Sequence, residues 1–524
     1  MQTTPKLSLV AALAAGLFAA CFSLRGDLAP QSALARGEQL FTLHCAVCHG
    51  SDGAGDGPAA SLLFPPARDF TRGQFRLVST TSGAPTDADL KATLSRGIPG
   101  SAMPAWGWMP ERSLDDLTLY VRELARKGVA KRLAEQARND ARELSAADAL
   151  AEASALLHPG AAVSAPRPQA AMGAVYELGR ASYARHCAAC HGPEGRGEQL
   201  GPEVNADGSP NWARDFTAGF LKGGGSHRAL ATRIVAGMPG STMPSFSALP
   251  PEELAALTTY VSSLVPIEAD RWLVHGQATL RARGARGGPA LSAGCDALDE
   301  RWERADEIEL VLAPLAWRND AVFEAKLAAL HDGESIALRL RWRDATRDEA
   351  SLEPADVRDA AALAFSNEAA PPLFGMGSRA HPVNLWHWQA LRLIDRAGVL
   401  DLVEAAPHIL TSPVFGEARA DVKPHYLPAP SEPLSGGELE ELAAESFAAL
   451  RELDASGRAV GGAARWAGGE WAVVFVRQLA PRNSAEADLR SGRPIVVAAA
   501  IWDGTGGDRG GQKSFSIWQK LVVE

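Results

Sequence analysis

The sequence predicts a multidomain fold in which two small all-α domains are followed by a mainly-β, sandwich-like domain. A chain of 524 residues is too long for one hydrophobic core. One order of motifs occurs twice between residues 30 and 265, and an internal repeat of this kind indicates two copies of one domain. From about residue 266, runs with the alternation of β-strands replace the helical pattern.

Composition and charge exclude some classes of protein. Hydrophobic residues make up 46% of the chain and charged residues 22%, as in ordinary globular proteins. The net charge of −10 argues against a nucleic-acid partner, whose phosphates would need a basic face. An acidic surface is compatible with docking to a partner protein of complementary charge.

Residues 1–25 predict a targeting segment, either a signal peptide or a lipid or membrane anchor. Lys6 is followed by an uncharged run that ends at Arg25, as in secretory signals. Phe18-Ala19-Ala20-Cys21 also resembles a lipoprotein box, so lipidation at Cys21, ordinary cleavage nearby and retention as an anchor stay open. We expect a periplasmic protein that attaches to the membrane, if at all, only through this segment.

Two Cys-x-x-Cys-His runs, at residues 45–49 and 187–191, carry the strongest chemical signal. This spacing is the attachment signature of c-type haem. Two cysteines three residues apart can each bond a vinyl group of one porphyrin, and the next histidine then lies under the iron. A redox dithiol has no use for that histidine, and Cys21 and Cys295 do not complete a zinc site. The pattern predicts two covalently bound c haems, with thioether bonds from Cys45, Cys48, Cys187 and Cys190 and iron ligands from His49 and His191.

The first domain is expected over residues 30–128. A helix from Ala33 to His44 leads to the first motif, and a glycine-rich loop and Arg68-Asp69-Phe70-Thr71 follow it. Ser113 is expected to cap a last helix that runs to about Lys127.

The second domain, residues 173–265, repeats this order and ends in a helix from about Pro251 to Leu264. The copies are offset by 142 residues at His49 and His191, and by 146 at Arg68 and Arg214. Residues 129–172 are rich in alanine and then proline, which predicts a helical extension followed by a flexible linker.

Met103 and Met243 are the candidate sixth ligands of the two irons. Each lies in a Gly-x-Pro-Gly-Ser-x-Met-Pro loop before the last helix, from which its sulfur can reach the far face of the haem. A thioether ligand favours reduced iron and raises the reduction potential. Met238 is a rival in the second copy, but it aligns with Ile98 rather than with Met103. The alternative role for each methionine is to fill the core.

This pattern closely resembles class I cytochrome c domains. The resemblance implies a small helical bundle around each haem, with His49 and Met103 as axial ligands in the first and His191 and Met243 in the second. Arg68 and Arg214 are candidates for contacts with the haem propionates. A surface salt bridge with the adjacent aspartate is the alternative for each arginine.

Residues 266–524 predict the β domain. Strand-like runs extend from Ile308 to Leu312, Ser335 to Trp342, Trp471 to Val476 and Pro494 to Trp502. The second run alternates apolar and polar residues as a half-buried strand does, and the last is apolar almost throughout. Taken by itself, this region offers no nucleophile–base set, phosphate loop or metal-ligand cluster.

The region from about 295 to 524 resembles the haem-b-binding gamma subunit of ethylbenzene dehydrogenase and its relatives in dimethylsulfide dehydrogenase, selenate reductase and chlorate reductase. The resemblance rests on Asp299-Glu300-Arg301-Trp302, a Met-Gly pair, Asn-x-Trp-His-Trp at 384–388 and Lys-Ser-x-Ser-x-Trp at 513–518. It implies a non-covalent b haem held by Met376 and Lys513, with His381 and His387 as rival ligands. Phe365-Ser366-Asn367 departs from the expected aromatic–proline pair.

Together these features predict an exported electron-transfer protein with two c haems and one b haem. The resemblance implies the haem subunit of a molybdenum-containing oxidoreductase complex, which relays electrons between its iron–sulfur subunit and a respiratory cytochrome. The chain itself is expected to be a non-catalytic subunit. The alternatives are a self-contained cytochrome enzyme of the peroxidase or thiosulfate dehydrogenase type and a haem-based sensor.

Overall fold

A helical N-terminal region is followed by a β-rich C-terminal region in the computed structural model. The described residues are 32–197, 203–273, 276–285, 290–349, 357–368, 371–372, 377, 382–390, 439–446, 449–453 and 460–524. The targeting segment with Cys21, and the haem b candidates Met376 and His381, lie outside these ranges. Among the described helices, none combines the length and apolarity that crossing a membrane requires.

The first unit is built on two long helices that cross at a glycine. Its helices are α1 (Ala33–His44), α2 (Ala46–His49), α3 (Asp87–Arg96), α4 (Glu111–Asn139) and α5 (Ala146–Leu156). Helix α1 has the predicted bounds, and the Ser32 side chain caps it by accepting a hydrogen bond from Ala35 N. A Cβ atom on Gly37 would lie 2.2 Å from the carbonyl oxygen of Asp116, so only glycine lets α1 and α4 approach this closely.

Helix α4 differs from the prediction at both ends. It begins at Glu111, after Pro110 as N-cap, rather than at a Ser113 cap, and it runs to Asn139 rather than to about Lys127. The helix continues through Gly128. A Cβ there would lie 2.3 Å from Thr71 Cα, so this glycine allows a close contact and does not mark the end of the helix. The extension packs its alanine-rich face on α5, so the helical extension expected after residue 128 is a continuation of α4 itself.

The second unit repeats the helical arrangement. Its helices are α6 (Gly173–His186), α7 (Ala188–His191), α8 (His227–Ala236) and α9 (Pro251–Leu264), and α9 has the predicted bounds. The unit departs from the expected all-α fold by a short antiparallel ribbon of β1 (Glu203–Val204) and β2 (Pro210–Asn211). Asp207 and Gly208 make its turn, and Gly208 has a φ of 81°. An Asp-Gly pair favours such a turn, but the ribbon is not among the elements expected from the sequence.

The C-terminal region contains thirteen described strands. They are β3 (Thr279–Gly284), β4 (Asp306–Pro314), β5 (Glu324–His331), β6 (Ser335–Arg343), β7 (Ala360–Ser366), β8 (Val383–Gln389), β9 (Leu439–Ser446), β10 (Ala449–Glu452), β11 (Gly461–Trp466), β12 (Glu470–Gln478), β13 (Ile495–Trp502), β14 (Ser514–Ser516) and β15 (Gln519–Val523). Hydrogen bonds join them in the order β10-β9-β8-β7-β13-β14-β4-β5-β6-β12-β11, and β3 and β15 add a second link between the two halves.

Strands from both halves share a large core in a sandwich-like arrangement. The core includes Leu338 and Phe475 from one half and Leu363, Trp386 and Val497 from the other, none of them exposed to solvent. The four predicted strands are confirmed within β4, β6, β12 and β13. Strand β13 is buried over most of its length, as its apolar run predicts for a strand that is covered on both faces.

Candidate haem-binding sites

A pocket in the first unit brings together the residues that the first Cys-x-x-Cys-His motif and the methionine loop predict. Cys45, Cys48 and His49 line it on one side, and Met103 lines it with the rest of its loop. Helix α1 and the short α2 present the cysteines, while the loop after α3 carries the methionine across from them. The pocket can therefore offer two thiols and two axial ligands to one flat cofactor.

His49 is held in the form that can bind iron. Its Nδ1–H donates a hydrogen bond to the carbonyl oxygen of Arg68 at 2.9 Å, which leaves the lone pair on Nε2. Phe70 stacks on the ring with centroids 4.5 Å apart. Burial lowers the pKa of His49 to about 4, so the imidazole is neutral at physiological pH.

His191 has the same surroundings in the second unit. Its Nδ1 is 3.1 Å from the carbonyl oxygen of Arg214, and Phe216 stacks on it at 4.4 Å. Met243 packs in one cluster with Cys187. The structure thus places the ligand candidates of both units in equivalent environments.

The two methionine loops have one hydrogen-bond pattern. Ile98 N donates to Met103 O at 3.0 Å, and Met238 N donates to Met243 O at 3.1 Å. The hydroxyl of Ser241 donates to Met238 O at 2.7 Å, as the equivalent serine does to Ile98 O. Met238 therefore occupies the position of Ile98 and not that of the ligand candidate Met103.

Polar atoms that lack partners support the fit of a bound group in the first pocket. Both ring nitrogens of His44 and Nε1 of Trp106 are buried there without a hydrogen bond among the described residues. Burial raises the pKa values of Cys45 and Cys48 to about 12, which is opposite to the lowered pKa of a reactive redox dithiol. Neutral thiols in an apolar pocket suit covalent attachment of a porphyrin.

Arg68 and Arg214 do not pair with the aspartates that follow them. The carboxylate near Arg68 is that of Asp207, 3.4 Å away in the second unit. Arg214 donates to the carbonyl oxygen of Gly100, in the methionine loop of the first unit. Asp69 instead accepts hydrogen bonds from its own turn. The two arginines thus lie between the units rather than in local surface salt bridges.

In the β region, Lys513 lies next to the aromatic side chain of Trp502. Its Nζ is 5.0 Å from the Trp502 ring centroid, and His387 meets the same ring edge-on at 5.5 Å. Desolvation lowers the pKa of Lys513 to about 8, and the described residues give it no ion pair. A readily deprotonated, unpaired amine fits a role as iron ligand.

The rival ligand His387 is also buried, and its Nδ1 has no hydrogen-bond partner in the described part of the chain. The carboxylate of Glu440 lies 3.7 Å from that nitrogen. Lys513 and His387 therefore border the same aromatic ring, and both remain candidates.

The first unit and the β region are in direct contact close to Lys513. Phe64 N donates to Leu315 O at 3.0 Å, and Leu315 N donates to the carbonyl oxygen of Lys513 itself at 3.0 Å. The Gln512 side chain donates to Leu62 O at 2.8 Å. The loop of Met103 also shares a pocket wall with β4 and with Phe515. The candidate b-haem and first c-haem sites thus belong to adjoining elements.

Sequence reasoning missed the residues that act across units, among them Lys222, Arg76 and Asp207. Lys222 belongs to the second unit but lines the pocket of the first. No local motif marks such a residue. The only available signal was its position five residues after the repeated Arg-Asp-Phe-Thr run.

Comparison with known proteins identifies the domains. The cytochrome c family model matches residues 34–125 and 176–265, and the ethylbenzene dehydrogenase family model matches residues 447–514. The chain therefore contains two cytochrome c domains, which imply c-type haem, and a C-terminal domain of the ethylbenzene dehydrogenase type.

Two curated relatives are haem or gamma subunits. The dimethylsulfide dehydrogenase subunit gamma of Rhodovulum sulfidophilum is 27% identical over 298 residues, which cover 52% of this chain and 94% of that protein. A putative respiratory nitrate reductase heme subunit of Haloferax mediterranei is 26% identical over 225 residues, or 42% of this chain. The matched part spans 64% of the Haloferax protein's length.

Among solved structures, a chain of the reducing HAO-like protein complex of Kuenenia stuttgartiensis is 30% identical to this chain. The match covers 45% of this chain and 99% of the Kuenenia chain, with a TM-score of 0.37.

Proposed function

We propose that this chain, with its two cytochrome c domains and its ethylbenzene dehydrogenase-type domain, is the exported triheme subunit of a molybdenum-containing oxidoreductase complex. It relays electrons between an iron–sulfur subunit and a respiratory cytochrome. The observation that carries the proposal is the pocket of the first unit, where two cysteines, a neutral histidine and a methionine meet. The second unit gives His191 the same surroundings, in a chain that also has a gamma-subunit domain.

In each c site, the chain would hold one haem through two cysteines, a histidine and a methionine. Cys45 and Cys48 would attach the first haem and Cys187 and Cys190 the second, while His49 with Met103 and His191 with Met243 would bind the irons. Bound haem supplies a one-electron redox couple. The carbonyl group of Arg68 orients the His49 ring, and Phe70 stacks on that ring.

In the C-terminal domain, we assign the b-haem ligands to Met376 and Lys513, as the resemblance implies. The low pKa of Lys513 supports this role, because a neutral amine has the lone pair that a metal needs. His387 borders the same tryptophan and is the first alternative.

The contacts between units support a route through the molecule. The chain segment around Lys513 touches the loop around Leu62 and the wall behind Met103. The first unit in turn meets the second at Arg68 and Arg214. The b site, the first c site and the second c site therefore form a continuous series.

The partner is proposed from the relatives. Both curated relatives are named as subunits of a dehydrogenase or a reductase. The substrate would then belong to the molybdenum subunit, and the iron–sulfur subunit would exchange electrons with the b haem.

Affinity isolation of the tagged chain from its native host tests this assignment. We expect a complex that contains molybdenum and iron–sulfur clusters, and we expect its substrate to reduce or oxidise all three haems. Recovery of the chain alone, together with turnover of peroxide or thiosulfate by that isolated chain, would instead establish the self-contained enzyme.

A further inference from the structure

The two cytochrome c units face each other through equivalent segments. Gly100, in the first methionine loop, lies against Arg214, and a Cβ there would be 2.5 Å from its guanidinium. Gly240 has the same position in the second loop, and a Cβ there would be 2.9 Å from the amide oxygen of Gln74. Because this packing is nearly reciprocal, the side of each unit that carries its arginine faces the other unit.

Cationic side chains outnumber carboxylates where the two units meet. Arg68 and Arg76 come from the first unit, and Arg214 and Lys222 come from the second. Asp207 lies 3.4 Å from Arg68 and 3.9 Å from Arg76, and Asp69 is the other carboxylate that acts on Arg68. These residues therefore leave an excess of positive charge.

The side chains that carry this excess positive charge are partly buried. The Arg76 side chain is 12% exposed and that of Arg68 is 22% exposed. Desolvation, followed by repulsion from the three guanidinium groups, lowers the pKa of Lys222 well below its usual value. Buried charges without partners are costly, so the cluster is suited to receive an anionic group.

Lys222 contributes to the wall of the pocket in the first unit. Together with Arg68 and Arg76 it lines the pocket of Cys45, His49 and Met103, although it belongs to the other unit. A haem carries two propionate carboxylates at one edge, and these are the anions that this pocket would receive.

We infer that Lys222 of the second unit is a propionate-binding residue of the first c-haem site, so that this site is completed across the interface between the units. The inference rests on the proposed c haem in the first unit. A positive charge beside a haem favours the ferrous state, because reduction removes one positive charge from the iron. Docking of the second unit therefore raises the reduction potential of the first haem.

Spectroelectrochemical titration of the full haem-loaded chain tests the inference with Lys222→Gln. We expect the equilibrium constant for reduction of the first c haem to fall by about tenfold. For a one-electron couple, this lowers the reduction potential by about 59 mV. Lys222→Arg should retain the potential. Lys131→Gln, which removes an exposed charge from α4, is the matched control and should leave it unchanged.

The two c haems can be distinguished in a Met243→His background, since a change of iron ligand separates the reduction potential of the second haem from that of the first. Lys222→Met keeps the aliphatic packing and should reproduce the effect of the glutamine variant. If both neutral variants shift the potential no more than Lys131→Gln does, the inference is wrong. Absence of c haem from the purified wild type would instead contradict the proposed function itself.

Discussion

Met243 and Met238 differ in role although only five residues separate them. We expect Met243→His to abolish the thioether-to-iron absorption of one ferric c haem and to lower its reduction potential, because a histidine ligand stabilises ferric iron more than a methionine does. Met238→His is the matched control, since its backbone holds the position of Ile98. Visible spectroscopy and a redox titration measure both effects, and loss of the band in the Met238 variant alone would reverse the assignment.

Lys513 is the residue on which the b site is most easily tested. We expect Lys513→Met to remove or alter the b-haem spectrum and to leave both c haems intact, because covalent attachment does not depend on this amine. Lys520→Met, on the exposed face of β15, is the control. An unchanged b-haem spectrum in the Lys513 variant would move the assignment to His387 or His381.

In each c unit, the crossing of the two long helices depends on one glycine. A Cβ on Gly37 or Gly179 would lie 2.2 or 2.3 Å from a backbone oxygen of the facing helix. We expect Gly37→Ala and Gly179→Ala each to lower the free energy of unfolding by about 1–3 kcal/mol, as overpacking does. Denaturant unfolding measures this, and Gly276→Ala, with no atom within 4 Å of its Cβ, should change it little.

Loops beside β6, β7 and β13 bring four aspartates together, Asp344, Asp348, Asp359 and Asp503. Burial raises the pKa of Asp359 from 3.8 to about 7. A raised folded-state pKa means that the folded chain binds the proton more tightly, so this contribution to stability is fully present below pH 3.8 and is lost as the pH rises through about 7.

We therefore expect the wild type to lose stability relative to Asp359→Asn as the pH rises between those values, by at most about 1.4 kcal/mol per pH unit. Denaturant unfolding at several pH values measures the difference between the two proteins. A difference that stays constant with pH would contradict the raised pKa of Asp359.

Most helices and strands could be predicted because their patterns are local. The bounds of α1 and α9 follow from spacing and capping, and β6 and β13 from alternation and apolar runs. The length of α4 could not be predicted, because Gly128 resembles a helix end until its contact with Thr71 is known. The ribbon around Asp207 was missed because its strands have two residues each.

At the level of the whole molecule, the candidate c-haem residues could be selected from the sequence, whereas the contacts between sites could not. Cys, His and Met at repeated offsets mark each candidate c site within one unit, so a single sequence contains them. Lys222 and Asp207 act on the other unit, more than 130 residues away from Arg68 in the chain. Only the packing of the units shows which charges meet, and the same holds for the junction between Leu62 and Gln512.

On the proposed haem assignment, that packing places the three redox sites in series. We expect Gln512→Ala, which removes the hydrogen bond to Leu62 O, to slow electron transfer between the b and first c haems by a few-fold, with the potentials unchanged. Flash or stopped-flow reduction of the isolated chain measures the rate. Equal rates in the variant and the wild type would exclude this junction from the route.

On the proposed assignment, one chain carries two c haems and one b haem. A pyridine haemochrome assay on the purified exported protein tests this number, because thioether-linked and free-vinyl porphyrins have different spectra in that assay. We expect two c haems and one b haem per chain. Two c haems with no b haem would contradict the account of the C-terminal domain and of the series of sites built on it.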